Sequence, residues 1–110
     1  MYKVTIKSIR PDTTKEFFRY DDDMYDYIDE AYLQTNKLLG KKVSITKDRT
    51  TEIIELMFEN KQAWLEYMKD PIIVYQEPIK VRYNGYNKVA VSINVEEIPV
   101  TKDLYNVYLR

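Results

Sequence analysis

The chain has 110 residues, enough for one domain with a true core, and 17 basic against 18 acidic residues leave a formal charge of -1. That balance supplies no basic excess for a nucleic-acid backbone, so nucleic acid is not expected as a partner. Cysteine and histidine are both absent, which excludes disulfides, thiolate nucleophiles, imidazole bases and Cys- or His-ligated metals.

The opening segment has no export-signal pattern, and no stretch approaches the roughly 18 apolar residues of a membrane span, so a cytoplasmic protein with no membrane partner is expected. Eleven tyrosines beside two glycines are unusual. Tyrosine enriches interfaces and pocket walls. A Lys-, Ile-, Tyr- and Asn-rich composition also arises from AT-rich coding DNA, as in the accessory proteins of compact viral genomes, and the two explanations stand side by side.

From Tyr2 to Ser8 the side chains Tyr2, Val4 and Ile6 alternate with Lys3, Thr5 and Lys7, the period of a strand with one buried face. Arg10 to Thr13 reads as a turn, and Phe17-Phe18 lies in a connection whose apolar side chains tuck under the first helix. Asp21-Asp22-Asp23 supplies cap and first-turn carboxylates. Met24, Ile28, Ala31, Tyr32, Thr35, Leu38 and Leu39 follow at helical spacing, which predicts a helix from Asp22 to Leu39 stopped by Gly40. The aspartates lack the spaced ligands and turn glycine of a calcium loop, and no metal site is expected.

Lys41–Thr46 and Thr51–Phe58 read as a hairpin across Lys47-Asp48-Arg49-Thr50. Asn60 is an N-cap for a helix from Lys61 to Lys69 that carries Ala63, Trp64, Tyr67 and Met68 on one face, and Asp70-Pro71 restarts the helix. Residues 78–86 stay open, because Asn84-Gly85 closes a two-residue hairpin as readily as it ends a helix. Lys88 to Val95 alternates through Val89, Val91, Ile93 and Val95 as the last strand. Thr101-Lys102-Asp103 caps a short helix in a tail over residues 99–110, with Leu104, Val107 and Tyr108 available for docking.

The order strand, helix, strand, strand, broken helix, strand gives an α+β fold: a ferredoxin-like four-stranded antiparallel sheet with helices on one face, formed by a single domain. The run Thr51 to Trp64 followed by Asp70-Pro71 resembles the dimeric α/β-barrel superfamily, including its antibiotic-biosynthesis monooxygenase-type domains. The likeness covers about Val43 to Val95. It implies a helix from Pro71 to about Tyr83 and a homodimer in which two sheets pack face to face. The sequence supplies its own motive for pairing, since Thr51, Ile53 and Met57, or their alternates, would leave an apolar patch on the face without helices; the competing solution is a monomer whose segment Thr101 to Arg110 folds over that face.

Within that family some members oxidise aromatic substrates without a cofactor. Others bind haem through a helix histidine with a tryptophan and an asparagine nearby. Trp64 matches the tryptophan, but Gln76 falls near the histidine position, so haem ligation in that manner is not implied and no cofactor is expected. Asn60 and Trp64, one turn apart, offer an amide donor beside an aromatic wall; equally, Asn60 reads as an N-cap and Trp64 as core. Tyr32, Tyr67, Tyr75 and Tyr83 either line a cleft suited to a flat aromatic ligand or rim the core with wet hydroxyls. The candidate pocket is therefore Asn60, Trp64, Tyr67, Gln76 and Tyr32. The glutamate pairs Glu52/Glu55 and Glu96/Glu97 read as solvated charge. Three functions fit: a small-ligand-binding or noncatalytic homodimer, a monooxygenase-like enzyme acting on a small aromatic, and a protein-interaction module.

Overall fold

A computed structural model describes residues 1–18, 22–35 and 37–99. The elements run β1 (Tyr2–Ile9), α1 (Asp22–Gln34), β2 (Leu38–Ile45), β3 (Thr51–Phe58), α2 (Lys61–Met68), α3 (Pro71–Tyr86) and β4 (Ala90–Glu97). The strands form one sheet in the order β2-β3-β1-β4. Every neighbouring pair is antiparallel. This is the ferredoxin-like topology that the order of elements predicts.

Alternation along the strands assigns the two faces. Tyr2 and Val4 of β1 lie opposite Phe58 and Leu56 of β3, and these four share one buried cluster with Ile28 of α1, Trp64 and Tyr67 of α2, and Ile73 of α3. All three helices thus cover the same side. Burial fades along that side: the Tyr2/Phe58 end is closed, Ile6 and Ile54 are half-buried, and Val43 and Ile45 are exposed.

The first helix is shorter than its periodicity predicts. It ends at Gln34, and Leu38, Leu39 and Gly40 belong to β2. Leucines at this spacing satisfy a helix or a strand, and sheet pairing decides: Leu38 lies opposite Phe58 while the Lys37 N–H bonds back to the Tyr32 carbonyl at 3.0 Å. The register then slips between Leu38 and Gly40, a bulge at Leu39 that puts both Leu38 and Lys41 on the helix side. The aspartate cap falls partly outside the described residues, as does the tail helix predicted after Pro99. Phe17 is buried with Arg10 over its ring at 4.6 Å. Phe18 packs edge-on against Tyr83 of α3, at 5.7 Å between ring centres, which anchors this loop to the third helix.

The polar connection at Lys47–Thr50 closes the β2–β3 hairpin. Asp48 accepts bonds from the Thr46 and Thr50 hydroxyls and the Thr50 N–H, and Arg49 takes a positive φ of 63°. Residues 78–86 are helical. Asn84-Gly85 is neither a hairpin turn nor the stop, because α3 continues to Tyr86 and closes with the Val89 N–H on the Asn84 carbonyl and the Lys88 N–H on that of Gly85. This is a Schellman motif with Lys88, at φ 56°, in the left-handed position that glycine ordinarily takes. Burial of Val89 accompanies it.

The helix-free face differs from expectation. It carries Lys3, Thr5 and Lys7 from β1, Lys42 and Ser44 from β2, and Ser92, Asn94 and Glu96 from β4, with Lys3 paired to Glu55 at 3.2 Å. Ile53 is half-buried and Met57 buried on this side, so among the described residues no continuous exposed apolar patch forms there. Ile9, at the end of β1, is exposed on this face, and the other exposed apolar strand residues lie on the helix side at the sheet margins: Val43 and Ile45 on β2, and Val91, Ile93 and Val95 on β4 at 37%, 50% and 43% exposure.

Both helix starts obey local chemistry. The Asn60 side chain accepts from the Ala63 N–H at 2.9 Å, and the Asp70 carboxylate from the Ile72 N–H at 3.1 Å, with Pro71 at the first helical position. Asn60→Ala is expected to lower unfolding stability by about 1 kcal/mol in urea titration with unchanged far-UV dichroism.

Candidate functional site

The cap at Asn60 fixes where α2 begins and so which of its side chains point at the sheet. Trp64 and Tyr67, three residues apart, face inward together. Phe58 at the end of β3 meets both rings, at 5.4 Å and 5.3 Å between centres, and Trp64 stacks on Tyr67 at 6.2 Å. Tyr32 of α1 stands edge-on to Tyr67 at 5.3 Å. Four aromatic rings therefore close one end of the space between helices and sheet.

Beyond this plug lies a cavity of about 180 Å3. Leu56, Trp64, Tyr67, Met68 and Ile73 form its closed end. Ile6, Ile54, Val43 and Ile93 supply its sheet-side floor, and Phe18, Glu52, Glu77 and Lys80 surround the remainder. An apolar cavity of about 150 Å3 admits a benzene molecule, so this volume matches a single ring.

One polar group is built into the wall. The Tyr67 hydroxyl donates to Asp29 Oδ1 at 3.1 Å, and Lys41 Nζ pairs with Asp29 Oδ2 at 2.8 Å. Each carboxylate oxygen of this buried aspartate thus has its own donor, and the two donors, Tyr67 and Lys41, themselves line the cavity. No local pattern in the sequence singles out Asp29 and Lys41. The available signal was a lysine at the head of the alternating run Lys41, Val43, Ile45, a charge on an otherwise apolar strand face.

Of the predicted pocket residues, Trp64 and Tyr67 line the cavity. Tyr32 is one ring behind, where burial first and the charge of Asp70 second raise its hydroxyl above the ordinary tyrosine pKa. Gln76 is buried on α3 away from the cavity wall. Asn60 borders a separate, more open hollow with Met1, Tyr2, Glu97 and Pro99, and its side-chain oxygen is engaged as the cap. The structure therefore does not bring the Asn60 amide and Trp64 into one cavity. Tyr75 is exposed and the Tyr83 hydroxyl donates to Glu16 at 2.8 Å, so among the described residues Tyr67 is the tyrosine of the cavity wall. Among the described residues, no group of three acidic side chains is placed to hold a metal ion, and no helix is long and apolar enough to cross a membrane.

The topology defines the fold class: the chain has the ferredoxin-like α+β fold, which it shares with solved structures described as antibiotic biosynthesis monooxygenases. One such solved structure, an antibiotic biosynthesis monooxygenase, superposes with a TM-score of 0.58 at 10% identity over 91% of this chain and 100% of its own. A Deinococcus radiodurans protein provisionally described as an antibiotic biosynthesis monooxygenase gives 0.57 at 12% identity, over 90% of this chain and 94% of its own. A dimeric ferredoxin-like protein from an uncultured marine organism gives 0.52 at 12% identity, over 92% and 95%. No family model matches the sequence, and no curated protein matches it either. At these identities the shared property is the fold.

Tyr67→Phe keeps the ring packing and removes one donor from a buried carboxylate. It is expected to cost about 2 kcal/mol in urea unfolding, with that cost sharply reduced in an Asp29→Asn background.

Proposed function

We propose that this protein binds a small, single-ring aromatic molecule in the cavity between its sheet and helices. The observation that carries this reading is the cavity itself, sized for one ring and walled by Trp64 and Tyr67 next to the Asp29–Lys41 ion pair. Aliphatic side chains on the sheet side give a ring its burial, and the two aromatic walls give it a stacking partner.

Trp64 is the single tryptophan of the chain, so its fluorescence reports on this cavity alone. Saturable quenching by simple phenols or phenyl alcohols is expected, weakened about tenfold by Ile93→Phe, which fills part of the floor at a position tolerant of bulk. Unchanged fluorescence across the series would defeat the reading. The solved neighbours add a monooxygenase-like reaction on such a ring as the second reading, favoured by their shared fold. Oxygen uptake measured during the same titration separates the two, since binding alone consumes none.

The reading includes a homodimer. Support comes from the dimeric neighbour and from β4, an edge strand exposed along its whole length, with no Lys, no Pro and a row of valines and isoleucine on one face. Light scattering at micromolar concentration is expected to give twice the 13.3 kDa chain mass, and Val95→Lys to return it to one chain with the fold retained. A wild-type chain that stays single would remove the dimer and leave the cavity untouched.

A further inference from the structure

The charges around the cavity are unevenly partnered. Lys41 is occupied by Asp29 at 2.8 Å. Lys80, on α3, stands one turn from Glu77, and both border the cavity together with Glu52. None of the ion pairs among the described residues engages Glu52 or Glu77. Among the described residues two lysines thus face three carboxylates, counting Asp29 behind Lys41, and the surplus among them is one negative charge located at the end away from the aromatic plug.

The sheet register supplies the spacing. Glu52 and Leu56 are both on the helix side of β3, Glu52 opposite Ser8 and Leu56 opposite Val4. Four residues of strand separate them, about 13 Å. Leu56 belongs to the closed end with Trp64 and Tyr67, and Glu52 is half-buried at the other. A ring lodged against Trp64 with a short chain pointing along the cavity therefore brings its far end within reach of the Glu52 and Glu77 side chains.

From this arrangement we infer that the ligand is a small arylalkylamine, bound as its ammonium ion: ring against Trp64 and Tyr67, cationic nitrogen between Glu52 and Glu77. The inference rests on the aromatic-cavity reading and adds to it the sign and position of the ligand charge.

The test is a Trp64 fluorescence titration with three matched probes, 2-phenylethylamine, 2-phenylethanol and phenylacetate, at low salt. The amine is expected to saturate the signal at a concentration about tenfold below the carboxylate, with the alcohol between them. In an Glu52→Gln/Glu77→Gln double variant, checked by far-UV dichroism, the amine advantage is expected to collapse while the alcohol titrates as before. Equal or tighter binding of phenylacetate, or an amine preference that survives the double substitution, would overturn the inference while the alcohol's binding keeps the cavity reading intact. Failure of all three probes to change the signal would overturn both.

Discussion

Phe58 is the contact on which the rest of the architecture turns. It ends β3, lies opposite Tyr2 in the sheet and Leu38 across the hairpin, and meets the rings of Trp64 and Tyr67 from the helix layer. Fully buried, it joins the strands to α2 at one end of the sheet only. Because α2 follows β3 after a two-residue connection capped by Asn60, the helix has to begin at that end, and its aromatic face comes down on Phe58. The opposite end of the same face has no comparable plug. A core that is closed at Phe58 and open at Glu52 is a cavity by construction.

The second constraint is the bulge at Leu39. In an uninterrupted strand, Leu38 and Lys41 point to opposite faces. The register slip turns both toward the helices, so one residue completes the core and the other delivers an ammonium group to Asp29. A buried carboxylate without partners is costly to fold. The bulge, the lysine and the Tyr67 hydroxyl make Asp29 tolerable on α1, and as a group they give a largely apolar cavity a fixed polar wall. The surface pair Lys37–Glu66, at 2.7 Å and well exposed, lacks that environment and contributes little to stability by comparison.

What the sequence disclosed follows the range of the interactions involved. Asn60, Asp70-Pro71 and the Asp48 turn are settled within three or four residues, and each forms as read. The alternations of β1 and β4 gave the strands, the sheet and the fold class. Leu38-Leu39-Gly40 misled because its decision is made by Phe58, twenty residues away in the chain. Asn84-Gly85 offered a local stop that α3 runs through, while the true stop at Lys88 has no glycine to announce it and is secured by the buried Val89. For the site, Trp64 and Tyr67 were legible as one helical face. Asp29 and Lys41 were not, since their meeting requires knowledge of the bulge.

The polar character of the helix-free face changes how the margins of the sheet are understood. With lysines, serines and Glu96 on that side, the exposed Val91, Ile93 and Val95 are continuous with the helix-side core through Val4 and Ile6, to which β4 is paired. Ile93 therefore belongs both to the cavity floor and to an edge strand. Whatever covers β4 also trims the cavity, because burying the Ile93 side of the strand removes solvent from the same space a ring would enter. Ligand binding and strand coverage act on one stretch of apolar surface, and each reduces the unfavourable exposure that the other leaves.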